Sequence, residues 1–568
     1  YIRLLSCYYN CIKKHKEHIQ QALSWIRFNY LGISFGLVGY FIALTPSLMP
    51  RPALFMGVVA GVGFAIGYSI GVFASYIARK WHRIAEPNSA TKHRAWVALG
   101  VVSIVCIAAS SLLARYWQND QRALLDQPPI SNLSTLTIVS IALAVFVLLY
   151  VIQKSIGWIC RRITNWGAKL TFLPPYTGVI SVFALAIFVI AGTITGLLER
   201  TAIVAIDSSY KSANNYIDPA FPQPNSRLRS GSTGSAANWE GLGREGRRFV
   251  SSGPDANAIS QFTGKPAKEP VRVYAGLNNA DGRHAQVELA MKELERTGAF
   301  DRKMLVVATP TGSGWIEAET VAALEYMHDG DTAIVATQYS YLPSGFAFVL
   351  DQGDATSMAK ELLNAVEDKL HSMPQDTRPK LIAYGLSLGS YGGQSDFAGE
   401  NDFENRLDAG FFVGTPGFSE PWRTITRDRD AGTPQVEPVY HHAKVIKFVT
   451  NSRDVLNDTD PRYKIVYFQY ATDPFVWFDA RLLYAKPDWM REAPGRGVSS
   501  HLYWFPVVTF LQVAIDQIYS LTISGDNGHD YSQDTVAPLA AATKPQNWNA
   551  DKTRTLQALI APPTTSED

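Results

Sequence analysis

Five stretches without a charged side chain constrain this chain more than any other feature. Residues 31–50, 53–78, 95–114, 133–153 and 178–198 contain no Asp, Glu, Lys or Arg. Each is about as long as the ~20 apolar residues that a bilayer core demands of a helix. A soluble helix of that length carries a polar stripe to meet water, and these stretches do not. The mean hydropathy of −0.03 averages two unlike halves. A length of 568 residues is also too much for one hydrophobic core. The pattern predicts a transmembrane helical domain over residues 1–199, followed by at least one further domain.

The basic residues between the spans give a direction. Arg3, Lys13, Lys14, Lys16, Arg27, Arg79, Lys80, Arg83, Lys92, Arg94, Lys154, Arg161, Arg162 and Lys169 fall on one side, against Arg51, Arg115 and Arg122 on the other. Short loops rich in Lys and Arg stay cytoplasmic. The expectation is therefore a multi-pass protein of the inner (plasma) membrane, with a cytoplasmic N-terminus. Five crossings then place everything after residue 199 outside the cytoplasm. No signal peptide is expected, because about thirty mixed residues precede the first apolar stretch and further spans follow it.

Span two carries Gly57 and Gly61, then Gly63, Gly67 and Gly71, each set at four-residue spacing. That spacing lets helices approach closely. No span has an ionisable residue at its centre, so ion or proton transport lacks its usual sequence handle. The spans read as an anchor, a dimer interface or a lipid-facing platform. A net charge of +2 argues against nucleic acid as a partner. Cysteines stand only at positions 7, 11, 106 and 160, so the last two thirds of the chain holds no disulfide and no cysteine metal site.

Residues 200–270 are rich in Gly, Ser, Asn and Arg with little periodicity. They read as an exposed linker with local order around Trp239 and Phe249. Arg244, Arg247 and Arg248 are expected in a solvated loop, with lipid head groups as the alternative partner. From residue 271 the pattern alternates. "VRVYAGL", "KMLVVATPTGSG", "DTAIVATQYSYLP", "KLIAYG", "AGFFVGT", "KVIKFVT" and "KIVYFQYA" are strand-like, with amphipathic helical stretches such as "QVELAMKELERTG" between the early ones. Apolar strands separated by helices predict a mainly parallel sheet covered on both faces, over residues 271–568. The whole is an α plus α/β architecture.

Within that domain, "LIAYGLSLGSYGG" places Ser387 between Gly385 and Gly389. Gly-x-Ser-x-Gly occurs by chance about 0.2 times in a chain this long, so its context decides its meaning. A strand precedes the serine and a small-residue helix start follows it, as a sharp strand-to-helix turn requires. Side chains two residues away on either side would clash in such a turn, and the two glycines remove them. The same geometry aims the Leu388 N–H at an oxyanion formed on Ser387.

A serine hydroxyl needs a base to become a good nucleophile. Where such a serine tops an open α/β sheet, an acid and then a histidine follow it in the chain. Asp473 stands just after the strand "KIVYFQYA" and before Pro474, the expected place for the acid; Asp454, Asp458 and Asp460 are rivals in a polar turn. Only His501 and His529 lie downstream. His501 starts the helix-like "SHLYWFPVVTFLQVAIDQI", whereas His529 sits in the loop "SGDNGHDY", from which a mobile base can reach the serine. A second oxyanion donor is expected from the turn "ATPTGSGW", at Thr311, Gly312 or Ser313, with a plain glycine turn as the alternative. The apolar "YLPSGFAFVL" reads either as an acyl-binding wall or as an ordinary buried helix. No cysteine–histidine cluster, phosphate loop or dinucleotide fingerprint is present, so no metal or cofactor is expected.

The blocks "TPSLMPR", "ELERTGAF", "TPTGSGW", "QYSYLPS", "GLSLGSYGG", "YATDPFVWF", "WFPVVTFLQV" and "GHDY" together resemble the bacterial membrane-anchored α/β-hydrolase family. The resemblance covers nearly the whole chain apart from the first thirty residues and the linker. It implies a multi-span N-terminal domain and a C-terminal serine hydrolase domain, with Ser387 and His529 on the family motifs and Asp473 on the strand-end acid. The residues then suggest a carboxylesterase or lipase acting on an ester or lipid-like substrate at the bilayer through an acyl-enzyme. An acyltransferase with the same three residues is one alternative. A lipid-handling or assembly scaffold with a degenerate hydrolase domain is another. Oligomeric state is not legible in the sequence.

Overall fold

The computed structural model describes residues 28–82, 89–167, 204–345, 347, 352–456, 462–523 and 525–561. The chain divides into two compact units, helices before residue 168 and a larger unit in the described residues from 204 onward.

The first unit contains α1 (Tyr30–Ala43), α2 (Ala53–His82), α3 (Ser89–Ala123) and α4 (Asn132–Gly167). The last three are long and apolar enough to cross a membrane, over Ala53–Trp81, Ala90–Ala123 and Leu133–Ile159. Three such helices fit a membrane anchor. The first expected span differs. Asn29 caps α1 by accepting the Gly32 N–H at 3.0 Å, and the helix stops at Ala43 after 14 residues, about 21 Å of rise. Pro46, Pro50 and Pro52 follow within nine residues of that end and cannot continue it. The fifth expected span, 178–198, lies outside the described residues.

The two glycine sets of α2 serve different neighbours. A Cβ on Gly63, Gly67 or Gly71 would run into α1, on Ala43 and the Gly39 carbonyl, the Phe35 carbonyl and the Leu31 carbonyl respectively. A Cβ on Gly57 or Gly61 would instead strike Ile141 or the Ala142 carbonyl of α4. The four-residue spacing therefore lays α2 against two helices at backbone distance.

The second unit is built on seven parallel strands in the order β1-β3-β2-β4-β5-β7-β6. They are β1 (Val271–Ala275), β2 (Met304–Thr309), β3 (Thr332–Thr337), β4 (Lys380–Leu386), β5 (Ala409–Val413), β6 (Ile446–Val449) and β7 (Ile465–Phe468). Nearly every strand residue is buried, the state of a sheet covered on both faces. The helices are α5 (Val204–Asn215), α6 (Gly243–Ser251), α7 (Ala256–Thr263), α8 (Arg283–Arg296), α9 (Ala318–Met327), α10 (Gln352–His371), α11 (Leu388–Gln394), α12 (Glu400–Arg406), α13 (Trp422–Arg427), α14 (Pro474–Trp477), α15 (Val508–Tyr519), α16 (Val536–Thr543) and α17 (Ala550–Ile560). The helical first unit and this helix-covered parallel sheet are the α plus α/β architecture that the sequence predicts.

The stretch expected as an exposed linker differs in character. Ala237, Leu242, Phe249, Val250 and Ile259 belong to the same buried core as the strands. Arginines hold this irregular chain down. Arg229 donates to the Val250 and Ser252 carbonyls at 3.0 and 2.6 Å, and Arg247 to the Tyr216 and Asn214 carbonyls at 2.6 and 3.1 Å. Arg272 of β1 donates to the Phe249 carbonyl at 2.7 Å while pairing with Glu325 at 2.7 Å in full burial. A guanidinium satisfies several carbonyls at once, which lets chain without regular structure be buried. Arg247 is thus a core residue, not a solvated or lipid-facing one.

Candidate active site

β4 ends at Leu386, and the chain turns abruptly into α11 at Ser387. Ser387 has φ 56° and ψ −124°, a left-handed conformation that a non-glycine residue holds at a cost of about 1–3 kcal/mol. Its N–H donates to the Val413 carbonyl at 2.9 Å, which ties the turn to the end of β5. The flanking glycines are steric necessities. A Cβ on Gly385 would run into the Gly389 carbonyl, and one on Gly389 into the Thr309 carbonyl at the end of β2. Leu388 opens α11, and the first N–H groups of a helix have no acceptor within it.

Asp473 lies beyond the end of β7 and caps α14, with Pro474 in the first turn, where a missing N–H costs nothing. Its carboxylate is fully buried. Oδ1 accepts the Phe475 N–H at 2.8 Å. Oδ2 is within 2.7 Å of His529 Nδ1 and accepts the Tyr531 hydroxyl at 2.6 Å. With Nδ1–H on the carboxylate, Nε2 is left as the basic nitrogen. Nε2 is buried and has no hydrogen-bond partner among the described residues. It is therefore not yet bonded to the Ser387 hydroxyl; such bonds are often loose before substrate binds.

The imidazole is packed from two sides. The Phe475 ring lies 4.3 Å from it, centroid to centroid. On another side a Cβ at Gly414, whose φ is 53°, would strike His529 Cε1. Gly414 directly follows Val413, the residue that holds the Ser387 N–H, so the histidine and the serine meet the same end of β5. The loop carrying His529 is pinned by Gly528 N–H to Thr472 Oγ1 at 3.0 Å and by His529 N–H to the Ser520 carbonyl at 3.1 Å.

Tyr531 is the residue that sequence reasoning missed. It is fully buried, stacks on Tyr470 at 4.4 Å, and accepts the Tyr470 N–H at 3.1 Å while donating to Asp473. Burial, with the Asp473 charge beside it, pushes its phenol well above the usual tyrosine value. It stays a donor at any working pH. Its one sequence signal was its place two residues after the histidine in "GHDY". Glu317, buried after the Thr311–Trp315 turn, is a second surprise. Burial raises its carboxyl to about 8, so near pH 7 it is largely protonated.

The remaining expected residues are distributed unevenly. Asp454 is exposed in a short 3₁₀ turn, and the His529 bond goes to Asp473 instead; Asp458 and Asp460 lie outside the described residues. His501 does not start a helix. α15 begins at Val508, after Pro506, and His501 lies in the preceding turn with its N–H on Ser499 Oγ at 3.2 Å. In the expected oxyanion turn, the Thr311 N–H donates to the Trp315 carbonyl at 2.9 Å and the Gly312 N–H to Ser344 Oγ at 3.3 Å. Leu342 and Ala347 of "YLPSGFAFVL" are buried, and Ala347 packs where a Cβ on Gly312 would fall; residues 346 and 348–351 lie outside the described residues. A cavity of about 420 Å³ lies by Gly417, Val476, Trp477 and Trp489, and neither Ser387 nor His529 lines it.

Comparison with known families returns two matches. A model described as "Alpha/beta-hydrolase family" matches residues 271–556, and one described as "Alpha/beta-hydrolase family N-terminus" matches residues 44–254. No curated protein and no solved structure matches the chain.

Proposed function

We propose, for a chain that belongs to the alpha/beta-hydrolase family, a membrane-anchored serine hydrolase that cleaves acyl esters through an acyl-enzyme. The observation that carries this proposal is the bond from buried Asp473 to His529 Nδ1 at 2.7 Å, with Nε2 unengaged beside a strained serine turn. In the proposed mechanism Ser387 Oγ attacks the ester carbonyl carbon while His529 Nε2 takes its proton. Asp473 holds the Nδ1–H and stabilises the imidazolium. The Leu388 N–H, with a donor from the Thr311–Ser313 turn, stabilises the oxyanion. Collapse expels the alcohol, which receives the proton from His529. Water, activated by the same imidazole, then releases the acid and restores Ser387.

The test is hydrolysis of p-nitrophenyl esters by the full chain in detergent, with Ser387→Ala, His529→Ala and the double variant. Each single change is expected to lower turnover roughly 10⁶-fold and the double little more, because the two groups act as a unit. Additive losses would remove His529 from the base role and bring His501 forward. Transfer of the acyl group to an added alcohol in place of water would make the protein an acyltransferase. Hydrolysis untouched by Ser387→Ala would favour a scaffold.

The orientation proposed is a cytoplasmic N-terminus with the hydrolase unit outside, on the strength of the basic-residue asymmetry. Lys265→Cys, at an exposed position, is expected to react with an impermeant maleimide in spheroplasts. Reaction only after the membrane is broken would reverse the orientation.

A further inference from the structure

α15 is built inside out. Its buried face carries Thr509, Gln512, Val513, Asp516 and Tyr519. Its opposite face presents Val508, Leu511 and Ile515, half-buried, and Ile518, exposed. Positions 508, 511, 515 and 518 form one helical stripe. On a helix covering a water-soluble domain the apolar stripe faces inward; here it faces outward.

The inversion is not isolated. Nine large apolar side chains are exposed in the described residues from 204 onward, and six of them fall between 483 and 521: Leu483, Tyr484, Tyr503, Val507, Ile518 and Leu521. These residues belong to one packed piece. Phe478 meets Phe510 at 5.1 Å, Trp504 Nε1–H donates to the Leu482 carbonyl at 3.1 Å, and the Val507 N–H donates to the Leu483 carbonyl at 3.1 Å. Residues 497–525 hold no charged side chain except Asp516, which is buried. The charges flanking them balance, Arg481, Lys486, Arg491 and Arg496 against Asp479, Asp488, Glu492 and Asp526, and Arg481, Arg491 and Arg496 pair with Asp479, Asp488 and Asp526.

We propose that the outward face of α15, with Tyr484, Tyr503 and Leu521, lies in the lipid bilayer interface. Two features select lipid as the occupant. The same chain carries three helices long and apolar enough to cross a bilayer. Tyrosines border the apolar face, as at membrane–water boundaries. The proposal rests on the membrane-anchored part of the function above.

The lipid contact reaches the site through the end of the helix. Ser520 ends α15, its carbonyl accepts the His529 N–H, and a Cβ on Gly528 would run into that carbonyl. A helix seated in lipid therefore fixes the loop that carries the base. The ester would be met where its acyl chain already resides.

The test uses the full chain reconstituted in phosphatidylcholine and phosphatidylglycerol vesicles with radiolabelled acyl chains. Ile518→p-benzoylphenylalanine is compared under illumination with the same replacement at Leu559, an exposed apolar position on α17. Lipid adducts at 518 should exceed those at 559 at least fivefold, and replacements at 511 and 515 should follow 518. Cross-linked protein dimers without lipid at 518 would assign the face to a second copy and overturn the proposal. Equal, weak labelling at all four positions would leave the face in water and overturn it too. A second measurement links the face to turnover. Ile518→Glu with Leu521→Glu should lower hydrolysis of a vesicle-embedded ester about tenfold or more while changing a soluble short-chain ester less than twofold. Equal losses on both substrates would sink the link to turnover. Absence of any hydrolysis by the unmodified chain would count against the esterase proposal alone, since the cross-linking readout needs no activity.

Discussion

At His529 the ring Nδ1 and the backbone N–H are already bonded, whereas at the Thr311–Ser313 turn two N–H groups expected to face an oxyanion are turned to other acceptors. The acid side is fixed by Asp473 to His529, by Tyr531 to Asp473 and by Gly528 to Thr472. The turn side has Thr311 bonded to Trp315 and Gly312 held loosely by Ser344 at 3.3 Å. The difference follows from chemistry. A base must hold one tautomer before substrate arrives, and a buried carboxylate left unbonded would be costly. The proposed oxyanion donors would meet their charge only during the reaction, and at rest they lie on neutral acceptors. The preformed half should respond to mutation in large steps and the unformed half in small ones.

The largest step separating the two halves is Asp473→Asn. It should leave the fold intact, by circular dichroism and melting, yet cost about 10⁴ in turnover through the wrong imidazole tautomer. Asp454→Asn, at the exposed rival, should leave turnover within twofold. The opposite ranking would move the acid to the earlier turn.

A smaller step is expected from Tyr531→Phe. The phenol donates to the same oxygen that holds His529, and its raised pKa keeps it protonated. Without that donor Oδ2 keeps only the His529 bond, and a buried carboxylate loses a hydrogen bond that helps to orient the imidazole. Turnover should fall about tenfold with KM nearly unchanged. A rise in KM with turnover unchanged, or a loss explained by a lower melting temperature, would make Tyr531 merely structural.

The smallest effect should come from the unformed half. Ser344→Ala releases the Gly312 N–H, so turnover should hold or rise by less than about threefold. A hundredfold fall would mean that the Ser344 contact belongs to the working geometry.

How far the sequence carried differs between regions for the same physical reasons. All seven strands were legible, because strands buried on both faces are continuous apolar runs ending in turn residues. The serine turn was legible because Gly385 and Gly389 are required by close backbone approach. The order β7 before β6 at the sheet edge was not, since strand order is a tertiary property. Burial of residues 229–259 was hidden because it depends on Arg229, Arg247 and Arg272 donating to distant carbonyls, and composition counts arginine as solvated. The early end of α1 was signalled by Pro46 inside an apolar run, which charge-free length alone overlooks. The role of Tyr531 was not legible beyond its place in "GHDY", because it comes from a carboxylate 58 positions earlier in the chain.

The central claim, that Ser387 is a nucleophile driven by His529, is tested most directly by mapping the adduct of a fluorophosphonate. The full chain in detergent should be labelled once, and peptide mass spectrometry should place the phosphonate on Ser387. Labelling should vanish in Ser387→Ala and slow at least about 10³-fold in His529→Ala. An adduct on another residue, or labelling at an unchanged rate without His529, would contradict the account.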